Sequence, residues 1–174
     1  MHPLFHPLYI DFCTYFNGNQ DYFECHEVLE EYWKLYAPGE KNHPLVGYVQ
    51  LATGMYHWRR NNTVGAMKIL KKAKKNITLN RSSPFFDFID FDELCKNCET
   101  SLKAIENGEP FVPFQLILKD EKLACLVKAK IKELPSLPED FLFHKHMLRD
   151  RSDILEARNI KKVAQEQKRR NELS

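Results

Sequence analysis

The second and third predicted helices carry side chains of the types that bind metals, transfer protons or build hydrogen-bonded networks. Six of these side chains, which we call the polar cluster, are His26, Glu27, Glu30, Gln50, His57 and Arg60. His26 and Glu30 are one helical turn apart, so they are neighbours on the second helix. Because only a short turn separates the two helices, we expect antiparallel packing that brings all six side chains into one neighbourhood.

The polar cluster has a metal-binding interpretation. His26, Glu30 and His57 are the ligand types of a two-histidine, one-carboxylate site. The run from His26 to Glu30 ends in glutamate, however, and departs from the two-histidine spacing of a zincin. The paired Glu-x-x-His motifs of a di-iron bundle are also not found. No metal or other cofactor is therefore expected, and His26, Glu30 and His57 are the candidate ligands if a metal binds.

The same residues also suit acid–base chemistry. A histidine held by a carboxylate is a typical general base, so an enzyme that uses His26, Glu30 and His57 is one alternative. No serine or cysteine lies in a nucleophile-elbow motif, and Cys25 falls on the apolar stripe of its helix, which indicates an inert buried thiol. A hydrogen-bonded network that holds the helices together is the preferred interpretation of the cluster, ahead of a pocket for a small molecule or an anion.

Turn and capping residues divide most of the chain into helices. Asp21 and Asp90 are each followed three residues later by glutamate, a pattern typical of helix N-termini. Pro44 suits a first helical turn, Asn61 suits the left-handed residue that ends a helix, and Asn62 suits the N-cap of the next helix. The predicted helices cover about residues 8–16, 21–36, 44–60, 63–79, 91–107 and 122–132, and residues 114–118 form a short strand or an extended crossing segment.

These elements predict an all-α fold, a compact bundle of about five helices with an appended C-terminal helical segment. We expect a helical domain over residues 1–134 and a charged helix or partly disordered tail over residues 135–174. The net charge is only +2, and no apolar run approaches the ~20 residues that span a bilayer. The five cysteines are odd in number and the N-terminus does not resemble a signal peptide, which favours a cytoplasmic protein without a membrane partner.

Three short motifs carry a resemblance to a known family. They are FECHEVLEEYW over residues 23–33, GYVQLA over residues 47–52 and RNNTVGA over residues 60–66, with Tyr56 and His57 between the last two. This pattern resembles the bacterial and archaeal family of domains of unknown function numbered 309, over about residues 15–73 of a family-like core that extends to about residue 80. The resemblance implies a small helical protein and no particular activity. Asn61 stands where the family usually has glycine, and asparagine tolerates the same left-handed conformation.

Two further features have structural and functional alternatives. Cys95 and Cys98 form a single CxxC inside a predicted helix, which favours a structural role over a redox or zinc site.

The fourth helix carries a basic face, and residues 145–174 contain nine Lys or Arg and five Asp or Glu. The lysines of that face are Lys68, Lys71, Lys72 and Lys75. Interspersed acidic residues argue against a dedicated nucleic-acid arm, so a nucleic-acid partner is not favoured and weak binding is kept as an alternative.

The sequence therefore predicts a small, non-catalytic binding or interaction protein whose partner is a protein or a small polar ligand. The polar cluster is the surface that we expect to act. Enzymatic use of His26, Glu30 and His57 and weak nucleic-acid binding are the alternatives, and a homo-oligomer is left open.

Overall fold

A computed structural model of the chain describes residues 1–136, 138, 142 and 152–173, with the side chains of residues 159–171 in the last helix. The described residues form seven α-helices and no sheet, so the predicted all-α class is confirmed. The helices are α1 Pro7–Asn17, α2 Tyr22–Tyr36, α3 Pro44–Arg59, α4 Thr63–Leu79, α5 Phe91–Glu106, α6 Glu121–Glu133 and α7 Ser152–Leu173. No helix in the described part of the chain is both long and apolar enough to cross a membrane.

The chain divides into two compact units, Met1–His144 and Lys145–Ser174. The first unit contains α1 to α6, and the second contains α7. The sequence-based division at residues 134 and 135 stays a prediction, and most of residues 137–151 lie outside the described part of the chain. Of the tail expected from residue 135 onward, the structure describes residues 135, 136, 138 and 142 and the helix α7.

Neighbouring helices of the first unit follow the order of the chain. Each helix from α1 to α4 packs against the next one, and α6 packs on α1. Leu123 and Val127 of α6 are buried in this contact, so α6 is a sixth member of the bundle. The predicted count of about five helices is therefore too low, because the short and highly charged α6 buries only a narrow apolar stripe.

The helix ends confirm most of the capping predictions. The side chains of Asp21, Asn62 and Asp90 each accept a hydrogen bond from a backbone N–H three residues later. These bonds satisfy donors that the first turn of a helix leaves without an internal partner. Asn61 has a φ of 62°, the left-handed conformation predicted for it between α3 and α4. Tyr36, in the last turn of α2, is 55% exposed.

A His-Pro-Leu triplet begins three helical segments, a regularity that the sequence analysis did not use. In each triplet the Nδ1 atom of histidine accepts a hydrogen bond from the backbone N–H of the leucine, at 3.2–3.3 Å. Proline occupies the first helical position, where no N–H is required. The histidines are His2, His6 and His43. Histidine therefore acts as the N-cap here, in the place that serine or aspartate usually takes.

Helix α3 lies at the centre of the bundle between α2 and α4. Its residues are buried on nearly every side, and one polar stripe remains partly exposed. A Cβ atom on Gly54 would lie 2.5 Å from Leu70 of α4, so the two helices approach more closely than a side chain would allow. The hydroxyl of Tyr48 in α3 donates a hydrogen bond to the Phe85 carbonyl and accepts a hydrogen bond from the Tyr9 hydroxyl. These two buried bonds join three segments of the chain.

The segment of residues 111–118 crosses the bundle in an extended conformation. It forms one isolated bridge, between Leu118 and Ile89, so the extended-segment alternative is correct and the strand alternative is not. The side-chain amide of Asn17 forms two hydrogen bonds with the backbone of Leu116. Its oxygen accepts one from the Leu116 N–H at 2.8 Å, and its nitrogen donates one to the Leu116 carbonyl at 2.9 Å. Leu116 is buried, so these two bonds satisfy its backbone without a neighbouring strand.

We predict that Asn17→Ala lowers the free energy of unfolding by about 1–3 kcal/mol, because it leaves the buried backbone of Leu116 without its partners. Chemical denaturation monitored by circular dichroism measures the change. Asn107→Ala, at the exposed end of α5, is the matched control and should remain within ~0.5 kcal/mol of wild type. A loss for Asn17→Ala no larger than that of the control would show that the crossing segment does not depend on this amide.

Candidate functional site

The polar cluster forms where α2 and α3 pack against each other. His26 lies between two carboxylates of its own helix: Nδ1 is 3.3 Å from Oε1 of Glu27, and Nε2 is 3.4 Å from Oε2 of Glu30. Lys34 contacts the other oxygen of Glu30 at 2.5 Å. The side chains of His26, Glu27 and Glu30 are 31%, 36% and 34% exposed, respectively. The cluster is therefore a partly hydrated surface feature and not a closed interior network.

Two aromatic rings connect the α2 and α3 parts of the cluster. Phe23 of α2 and Tyr56 of α3 have ring centroids 5.9 Å apart. Phe23 also lies beside His26, at 6.5 Å, and the guanidinium of Arg60 lies 5.4 Å from the centre of the Tyr56 ring. Arginine over a tyrosine ring is a favourable cation–π arrangement. The surface thus combines carboxylates, an imidazole, a guanidinium and aromatic rings.

His57 occupies the last turn of α3, where Nδ1 lies 3.3 Å from the side-chain nitrogen of Asn62. The His57 ring lies beside Tyr56, with ring centroids 6.4 Å apart. Burial lowers the pKa of His57 below its ordinary value, and the charges of Arg60 and His26 lower it further. The neutral imidazole is therefore the favoured form of His57 in the folded protein.

Gln50 is the member of the predicted cluster that stands apart. It is half-buried on the polar stripe of α3, and it makes no hydrogen bond to the other five residues in the described part of the chain. Its Oε1 atom is buried and has no hydrogen-bond partner among the described residues. The structure thus brings together His26, Glu27, Glu30, His57 and Arg60, and places Gln50 two turns away from His57 on the same helix.

The candidate metal ligands do not form a metal-binding arrangement. Among the described residues, no group of three or more His, Cys, Asp or Glu side chains is placed to hold a metal ion. His26 and Glu30 are paired with each other, and His57 contacts the amide of Asn62 instead of joining them. The set of His26, Glu30 and His57 is therefore divided between two local contacts.

Arg59, next to the polar cluster, has a structural role that the sequence analysis missed. It is 9% exposed, its guanidinium lies 4.7 Å from the centre of the Tyr22 ring, and it donates to the carbonyls of Gln20 and Leu142 at 2.6 and 3.0 Å. Gln20 has a φ of 57°, in the left-handed region, and its carbonyl accepts a hydrogen bond from this buried cation. Two adjacent arginines thus have opposite environments, which helical periodicity could have suggested because they lie 100° apart.

The cysteines take no part in the cluster. All five are free, and Cys13, Cys25 and Cys98 are buried. Burial raises the pKa of Cys98 to about 12 and raises the pKa of Cys25 well above its usual range, so both thiols are protonated at neutral pH. The structural interpretation of the CxxC at Cys95 and Cys98 agrees with these environments, because a reactive thiol requires a lowered pKa.

Comparisons with known proteins agree with the resemblance found in the motifs. A family model described as a domain of unknown function (DUF309) matches residues 9–69 of the chain. The uncharacterized protein YpuF of Bacillus subtilis (strain 168) is 35% identical over 170 residues, which are 94% of this chain and 97% of the relative. No solved structure matches the chain. The resemblance predicted over about residues 15–73 is confirmed.

We predict that Arg60→Gln raises the pKa of His57 part of the way toward its ordinary value of about 6.5. The shift is partial because burial, the largest cause of the lowered pKa, remains. NMR titration of the imidazole signals measures the change. His43 is an internal control, because burial lowers its pKa and Arg60 is not among the causes.

The same titration has a consequence for stability. Because the folded state holds the pKa of His57 below that of the unfolded chain, the unfolded chain binds the proton more readily. The contribution of His57 to stability is complete above about pH 6.5 and decreases as the pH falls toward the folded-state pKa.

An Arg60→Gln protein in which His57 titrates as in wild type would show that the two groups are not electrostatically coupled.

Proposed function

The chain belongs to the family described as a domain of unknown function (DUF309), and we propose that this member is a small, cytoplasmic, non-catalytic binding protein. Its binding surface is the α2–α3 face that carries His26, Glu27, Glu30, His57 and Arg60. The partner presents a polar group, either on a small molecule or on a side chain of another protein.

The partial exposure of the polar cluster is the observation that carries this proposal. A network whose purpose is to join two helices is normally buried, because its hydrogen bonds then replace those with water. Here about a third of each of the side chains of His26, Glu27 and Glu30 is exposed. Such surface ion pairs stabilise a fold by only about 0–1 kcal/mol each. The arrangement is therefore better suited to contact a partner than to hold the bundle together.

The neighbouring aromatic and guanidinium groups support the same proposal. Tyrosine and arginine are enriched among the residues that contribute most to protein–protein binding. Tyr56 is 6% exposed and is held by Phe23, while Arg60 lies over its ring. Because these groups stand on two tightly packed helices, a partner would meet a preorganised surface and would lose little binding energy to reordering.

An enzyme that uses His26, Glu30 and His57 is the first alternative, and the geometry favours it less. His26 has the carboxylate neighbours of a general base. The described residues, however, include no group placed to hold a metal ion, and the buried thiols of Cys13, Cys25 and Cys98 have raised pKa values. An acid–base pair without a reactive thiol or a ready set of metal ligands beside it supports fewer reactions, so binding is the stronger proposal.

The binding proposal predicts that a ligand or partner depends on the cluster. Wild-type protein, His26→Ala/Glu30→Ala and Lys128→Glu/Lys132→Glu are used as bait in extract of the native cells, and bound proteins and metabolites are quantified by mass spectrometry. We expect at least one species to be retained by wild type and by the α6 control and to be depleted about tenfold with the cluster variant. All three baits should have the same helical content, because the substituted side chains are partly or fully exposed.

A species that binds all three baits equally would place the contact elsewhere on the molecule. Retention of nothing by wild type would also count against the proposal. The α6 substitutions are the matched control because Lys128 and Lys132 are exposed and make no ion pair in the described part of the chain.

Weak nucleic-acid binding is the second candidate, and one observation favours it. Lys68, Lys71, Lys72 and Lys75 are exposed along one face of α4 and make no ion pair among the described residues. Lys74, by contrast, is paired with Glu99 of α5. A row of unpaired lysines is an electrostatic footprint for phosphate groups.

This candidate predicts a strong dependence of affinity on salt. If all four lysines contact phosphates, the logarithm of the affinity for a single-stranded oligonucleotide should decrease with the logarithm of salt concentration with a slope near −3. Fluorescence anisotropy measures the slope for wild type, for Lys68→Glu/Lys72→Glu and for a chain without residues 145–174. Binding that is equal in all three proteins would exclude both the α4 face and the tail.

A further inference from the structure

A cavity, separate from the polar cluster, opens between α5 and the crossing segment of residues 111–118. It has a volume of about 220 Å³. Trp58 of α3 and Phe114 supply aromatic walls, and Ala104 of α5 supplies a small apolar patch. Trp58 is only 3% exposed, so the cavity reaches the core of the bundle.

Polar groups of α5 line the same cavity. Thr100 and Ser101 follow Asn97 by three and four residues, so the three side chains share one helical face. None of their side chains makes a hydrogen bond in the described part of the chain. Ser101 is 5% exposed, Asn97 is half-buried and Thr100 is exposed. The cavity therefore offers two hydroxyl groups and an amide group to a molecule that can form hydrogen bonds.

Glu109 supplies the charge at this cavity. It is exposed, it lines the cavity, and it forms no ion pair with another described residue. No lysine, arginine or histidine belongs to the lining. A carboxylate beside aromatic rings favours a positively charged ligand, because the faces of tryptophan and phenylalanine also attract cations. An anion would meet the charge of Glu109 without a compensating cation.

We propose that this cavity binds a small organic cation, specifically a protonated primary amine with an apolar body. The ammonium group would donate to Glu109 and to an oxygen atom of Asn97 or Thr100, since it carries three donors and no acceptor. The apolar body would lie against Trp58 and Phe114. The single carboxylate and the aromatic walls are unsuited to a hard metal ion, which requires several oxygen ligands.

The volume limits the size of the ligand. Pockets for drug-sized molecules occupy about 300–1,000 Å³, so a cavity of about 220 Å³ takes a smaller molecule than these. A nucleotide or a long peptide is therefore excluded as the occupant. The size fits an amine of about ten non-hydrogen atoms or fewer, by the same comparison. This inference does not depend on the binding proposal for the α2–α3 face.

Trp58 provides a direct signal for occupation of the cavity. The chain contains two tryptophans, and the other one, Trp33, donates its indole N–H to the Glu40 carbonyl at a surface turn. In a Trp33→Phe background, the fluorescence therefore reports on Trp58 alone. The probes are 2-phenylethylammonium, its neutral analogue 2-phenylethanol and its anionic analogue phenylacetate.

We expect saturable titration with 2-phenylethylammonium, weaker titration with 2-phenylethanol and none with phenylacetate. Glu109→Gln should weaken binding of the ammonium probe about three- to fivefold, the range for an exposed ion pair, and should leave binding of the alcohol unchanged. Glu106→Gln is the matched control, because Glu106 is an exposed carboxylate close in sequence that does not line the cavity. It should bind all three probes as the background protein does.

Several results would overturn the proposal. Equal binding of the ammonium and the alcohol would show that the cavity does not select a cation. An unchanged affinity of Glu109→Gln for the ammonium would remove the carboxylate from the site. The absence of a saturable change in Trp58 fluorescence with the ammonium probe would show that the cavity binds no small organic cation of this kind.

Discussion

The close packing of α3 between α2 and α4 is the constraint on which the rest of the first unit depends. Because a Cβ atom on Gly54 would overlap Leu70, the two helices are held at a separation that only glycine allows. Burial of α3 on its other sides then determines its rotation about its own axis. The polar stripe that remains faces outward beside α2, and the polar cluster results from that fixed orientation.

The last turn of α3 shows how one short segment serves three different environments. His57 and Arg60 contribute to the partly exposed cluster, whereas Trp58 points into the core and lines the cavity beside α5. Arg59 is buried against Tyr22 and holds the carbonyls of Gln20 and Leu142. Helical periodicity separates these side chains around the axis, so neighbours in sequence contact different parts of the bundle.

Polar side chains take over several tasks that the backbone performs in more regular folds. Asn17 pairs with Leu116 as a neighbouring strand would, and three histidines cap helical segments through Nδ1. These bonds allow irregular segments to lie against the bundle without leaving buried backbone groups unsatisfied. The extended segment of residues 111–118 consequently reaches α5, where it completes the walls of the cavity beside Trp58.

Local sequence by itself determined the all-α class, the bounds of most helices, the caps at Asp21, Asn62 and Asp90, and the left-handed Asn61, because each depends on residues within a few positions of one another. It also predicted that α2 and α3 pack together, since a short turn joins them, and this packing brings together five of the six residues of the polar cluster. Only the tertiary structure decided that α6 belongs to the bundle, that Gln50 stands apart and that Arg59 is buried. The cavity of Trp58, Ser101 and Glu109 also required the tertiary structure, because Trp58 lies far in sequence from the other walls and no local pattern specifies how such segments meet.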